Sequence, residues 1–134
     1  MFRRDRQQLG RKLRRTVLLL SLALPLIAHH STALYDLVHG TIIVGDVKRF
    51  DWENPHAHIY LDVMGEDAEV EHWVVELQSP ILLTHLGWKK DTIKAGDQIS
   101  VTGGRAKDNS FQIRAIYVVL PDGRKLSALP SVDN

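Results

Sequence analysis

Residues 56–87 read HAHIYLDVMGEDAEVEHWVVELQSPILLTHLG, and this stretch decides the fold. Ala57, Ile59, Leu61 and Val63 alternate with His56, His58, Tyr60 and Asp62. Further on, Trp73, Val75 and Leu77 alternate with His72, Val74, Glu76 and Gln78. A period of two predicts two strands, each with one dry face and one wet face, separated by the turn chemistry of Gly65-Glu66-Asp67. Bringing both dry faces to the same side requires paired residue numbers with an even sum, because a slip by one would push Trp73 into water. A sum of 134 sets His56 opposite Gln78, His58 opposite Glu76 and Asp62 opposite His72. Behind the second strand, Ser79 as N-cap, Pro80 at the first helical position and Gly87 as a stop predict one short helix.

Strand-like segments flank this unit. GTIIVGDVKRFDW (40–52) precedes it, while ISVTGGRA (99–106) and FQIRAIYVVL (111–120) follow, and Asp122-Gly123 turns into a short tail. Three strands, a short helix and two strands is the order of a small five-stranded OB-like Greek-key barrel, mostly β, with the helix between strands three and four. The Gly96-Asp97 turn leading into the alternating Gln98–Val101 stretch fits the start of its fourth strand. An immunoglobulin-like sandwich is the alternative, but it expects about seven strands and no central helix. Val47, Ile59, Leu61, Trp73, Val75, Leu77, Ile99, Val101 and Ile113 are the expected inward positions.

The bulk composition hides a division. The 134 residues carry 17 basic and 16 acidic side chains, yet seven of the bases and only one acid precede residue 29. The remainder holds 10 bases and 15 acids, a formal charge of −5. Such a surface repels a polyanion, which argues against nucleic acid as a partner. With no cysteine in the chain, disulfide scaffolds and thiolate metal sites are excluded.

A basic stretch (1–15), an uncharged run (TVLLLSLALPLIA, 16–28) and a polar HHST form the layout of a secretory signal. Thirteen residues of helix rise about 20 Å, too little for a hydrocarbon core of about 30 Å. The expected organisation is a signal peptide at 1–28, an N-terminal arm at 29–39 and the barrel at 40–134, exported to the periplasm and touching the membrane only during export. Cleavage after Ala28 would leave His29 at the new N-terminus, with Leu26 larger than the small residue usual at −3. Cleavage after Ala33 would discard His29 and His30.

Seven histidines, at 29, 30, 39, 56, 58, 72 and 85, stand out. His56 and His58 lie two apart on a strand, so both rings point the same way, about 7 Å apart at 3.3 Å per residue. Without thiols in an oxidising compartment, imidazole is the natural ligand for copper, or secondarily zinc, with Glu76 as a third ligand or as support. His39 and His85 have no such partner in sequence.

His29-His30-Ser31, Tyr35-Asp36, Trp52-Glu53-Asn54-Pro55-His56, Glu76-Leu77-Gln78-Ser79-Pro80, Gly87-Trp88 and Lys94-x-Gly96-Asp97 together give the chain its resemblance to a family of small exported bacterial proteins of unknown function. The resemblance covers the whole mature part and departs at Leu26. It implies an exported single domain with a His-His-Ser start, hence cleavage after Ala28, and it implies no reaction. A free N-terminal histidine chelates metal through its amine and ring, leaving room for another imidazole.

Two functional readings follow. The first is a periplasmic metal-binding domain, for copper, with His29, His56 and His58 as ligands and His30 and Glu76 in support. The second is an interaction module, free of metal, whose groove around Trp52 and Tyr60 takes an unidentified protein or small molecule. No nucleophile with its base, phosphate loop or catalytic carboxylate pair can be named, so no catalytic activity is assigned.

Overall fold

The computed structural model describes residues 32–130. A 3-10 turn at Thr32–Leu34 leads into strand β1 (Tyr35–Asp51), followed by β2 (His58–Met64), β3 (Val70–Glu76), helix α1 (Pro80–His85), β4 (Gln98–Ala106), β5 (Gln112–Val119) and β6 (Lys125–Ser127). The mostly β architecture and the helix between the third and fourth strands match the expected order. The sheet runs β3-β2-β1-β4-β5-β6, and a parallel pairing of β3 with β5 closes the first five strands on themselves.

The β2–β3 register has the predicted sum, pairing His58 with Glu76, Leu61 with Trp73 and Asp62 with His72. Consequently Trp73 is buried and His72 exposed, and all nine residues expected inward lie in the core. Burying side chains of this size stabilises by about 1.5–3 kcal/mol each, which is why the register cannot slip.

Two features depart from the expectation. A sixth strand, β6, folds back on β5 through the Asp122-Gly123 turn, where Gly123 sits at φ +83°. The segment read as a tail thereby becomes a strand, too short to show a period. Strand β1 also begins at Tyr35, inside the stretch assigned to the arm, because Tyr35 and Asp36 pair with Ala106 and Arg105 of β4. Residues 36–40 break that ladder, and so YDLVH carries no clean alternation. A second irregularity, at Lys48 between Val47 and Arg49, lets one long strand bend and serve both β2 and β4.

Helix α1 starts at Pro80 after an extended Ser79, whose side chain makes no capping bond. Its end follows the sequence signal. Gly87 at φ +90° donates to Thr84 O, and Trp88 N–H to Leu83 O, the paired bonds of a Schellman cap. The chain then delivers Trp88 into the core, where its Nε1–H donates to Ser127 O at 2.7 Å.

Closure also depends on Gly103 of β4, where a Cβ would overlap the carbonyl oxygen of Arg114 on β5. The obstacle is backbone and cannot rotate away. Gly103→Ala is therefore expected to destabilise the domain by about 1–3 kcal/mol, the range for overpacking. A urea melt with an unchanged midpoint would show that β4 and β5 are not so closely apposed.

Candidate functional site

The wet side of β2 and β3 converges on one carboxylate, that of Glu76. The β2–β3 ladder extends beyond β2 through Leu77 N–H to Ala57 O (2.9 Å) and Ala57 N–H to Gln78 O (3.1 Å). His56 thus lies one residue past the end of that ladder, diagonal to Glu76, with Nδ1 2.7 Å from Glu76 Oε1. On the other flank, parallel pairing sets Arg114 of β5 beside Glu76, and a guanidinium nitrogen meets the same Oε1. From the first residue of β1, the Tyr35 hydroxyl donates to Glu76 Oε2 at 2.8 Å. A single carboxylate thereby ties β1, the β2 entrance, β3 and β5 together.

Burial grades across this cluster. The Arg114 side chain is 3% exposed, that of Glu76 12% and that of His56 29%, so charge lies at the bottom and an imidazole at the rim. Burial first, and then the hydrogen bond to the Glu76 carboxylate, push the ionisation of the Tyr35 hydroxyl far above the ordinary tyrosine range, so it stays a donor. Arg114 Nε is buried and finds no partner among the described residues, a deficit of about 1–3 kcal/mol that the ion pair must outweigh.

The structure unites only part of the expected site. His56 and Glu76 are in contact, and His58, half-buried, stands directly across the ladder from Glu76. Both Glu76 oxygens are engaged, by Tyr35, His56 and Arg114. His29 and His30 lie outside the described residues. Among the described residues, no three His, Cys, Asp or Glu side chains are placed to hold a metal ion by themselves.

Trp52 and Tyr60 point to different surroundings. Trp52 packs edge-on against Phe50, with ring centroids 5.6 Å apart, while Tyr60 lies under the Arg49 guanidinium at 4.0 Å. Tyr60 borders a shallow depression of about 410 Å³ that also includes Lys48, Asp62 and His72. There the His72 ring at 2.8 Å, and then Lys48 at 3.3 Å, hold the Asp62 carboxyl below the usual carboxylate range. His39 bonds to Asp36 at 2.9 Å on the surface, and His85 closes the last turn of α1.

Arg114 was not among the residues singled out from sequence. Its signal is a lone cation inside the apolar FQIRAIYVVL, where a base on a closing strand needs a buried anion. Tyr35 entered only through the family resemblance.

Among known proteins, the model of a family of unknown function, DUF6152, matches residues 17–113, a span that includes His29, Tyr35, His56 and Glu76. No curated protein matches the chain. Among solved structures, the chain is similar to the mitochondrial single-stranded DNA binding protein Rim1 of S. cerevisiae. That likeness has 13% sequence identity and a TM-score of 0.44, and covers 61% of this chain and 92% of the other.

Proposed function

The chain belongs to the DUF6152 family, of unknown function, and we propose that it is an exported periplasmic domain that binds one copper ion between its N-terminus and His56. In this reading the mature chain begins at His29, whose amine and ring supply two donors, and the His56 ring supplies a third. His58 and His30 stand in support. No catalytic role is assigned.

The observation that carries the proposal is the sharing of the Glu76 carboxylate by Tyr35 and His56. Tyr35 comes six residues after His29. Six residues span at most about 20 Å, so a chain anchored at Tyr35 has ample reach to return to His56. The root of the arm and the rim imidazole are held at one place. Copper is favoured because it heads the affinity order for nitrogen donors and the chain offers no thiolate. Zinc follows as the weaker occupant of the same donors.

Titrating the processed protein with copper tests the assignment. His56→Ala is expected to weaken binding by at least tenfold, about 1.4 kcal/mol, and His85→Ala to leave it unchanged. Equal effects from the two would remove His56 from the site. A chain that binds neither copper nor zinc would return the choice to an interaction module.

A further inference from the structure

The donors on Glu76 determine more than its own charge. Arginine offers donors only, and the buried Tyr35 hydroxyl keeps its proton, so Glu76 faces donors at both oxygens. With donors aimed at both of its oxygens, the Glu76 carboxylate meets His56 as an acceptor. The His56 Nδ1, 2.7 Å from Oε1, must then carry a proton. In a neutral ring the lone pair falls to Nε2.

We propose that Glu76, held as an anion by Arg114 and Tyr35, is a positioning residue that fixes His56 in the Nδ1–H tautomer and presents the Nε2 lone pair at the rim. A free imidazole in water favours the opposite form, with the proton on Nε2. The protein therefore reverses the intrinsic preference, through a hydrogen bond made on the far side of the ring. The distribution of exposure is what such a device requires. Its charged support is almost fully buried, whereas the imidazole is partly exposed. An Nε2 lone pair ready in advance spares an incoming ion the displacement of a proton from that atom. This consequence for copper rests on the function proposed above, but the tautomer itself does not.

Nitrogen-15 spectra of the imidazole rings in the metal-free protein, with the ring neutral at alkaline pH, test the proposal, and a copper titration of the same samples tests its consequence. In the unsubstituted protein the His56 ring should show a protonated Nδ1 and an unprotonated Nε2. A proton on Nε2 there would overturn the proposal, and this reading requires no variant to fold. In the double variant Glu76→Leu with Arg114→Met, which removes the acceptor without stranding the guanidinium, the ring should revert to the Nε2–H form and copper affinity should fall about tenfold or more. Retention of Nδ1–H in that variant would overturn the role of Glu76. If the tautomer reverts while copper affinity stays the same, Glu76 positions His56 as proposed and it is the copper reading that fails.

Discussion

Replacing Glu76 with Leu is expected to destabilise the folded domain by about 3–5 kcal/mol, the cost of leaving a buried charge without its partner. The Arg114 side chain is 3% exposed, and Glu76 is the carboxylate that meets its guanidinium. Its Nε already lacks a partner among the described residues, so a second unmet group would be added to the first. A domain of this size has about 5–15 kcal/mol of stability in all, and the loss takes a large share of it. The double replacement Glu76→Leu with Arg114→Met should regain most of the deficit, because an ion pair exchanged for well-packed apolar groups is often neutral or stabilising. Urea unfolding at neutral pH measures both. A cost below about 1 kcal/mol for the single change would place the pair in water, in the range of surface ion pairs.

If His29 and His56 hold copper as proposed, the affinity is expected to fall by about 10⁴-fold or more between pH 7 and pH 5. An imidazole titrates near 6.5 in water and an α-amine near 7.7–8.0, and each must be deprotonated to offer a lone pair. Across those two pH units, proton competition reaches about 25-fold for each imidazole and nearly 100-fold for the amine, and the factors multiply. The sign is fixed, since acid competes with the metal for the same electron pairs. Binding through exposed carboxylates would change far less, because a carboxylate in water titrates near 4, below this window. Calorimetric titration at three pH values between 5 and 7 separates the two.

The strand pair β2–β3 was legible because its physics is local. Alternation marks the dry faces, and the even-sum rule then leaves few registers in which Trp73 stays inside. Likewise Pro80 and Gly87 bound the helix through backbone preferences that need no neighbours. Strand β6 escaped notice because three residues carry no period, and its existence depends on the edge that β5 offers. The start of β1 was hidden for a similar reason, as the pairing of Tyr35 with Ala106 spans most of the domain. At the site, register set His58 opposite Glu76, whereas His56 reaches that carboxylate from the diagonal position and Arg114 joins it only through closure of β3 against β5. Of the Trp52 and Tyr60 pair, Trp52 lies against Phe50, while Tyr60 borders the depression on β2 and β3 beside Arg49.

In the proposed site the free amine of His29 and the His56 ring hold one copper ion. This assignment is tested most directly by calorimetric titration of two proteins, one beginning at His29 and one carrying a single extra residue before it. The extension keeps every side chain but converts the amine of His29 into an amide with no basic lone pair. The expected result is one copper bound by the first protein and an affinity at least 100-fold lower in the second, about 2.7 kcal/mol. Equal affinities would contradict the claim, as would binding by the first protein no tighter than about 10 μM, about −7 kcal/mol.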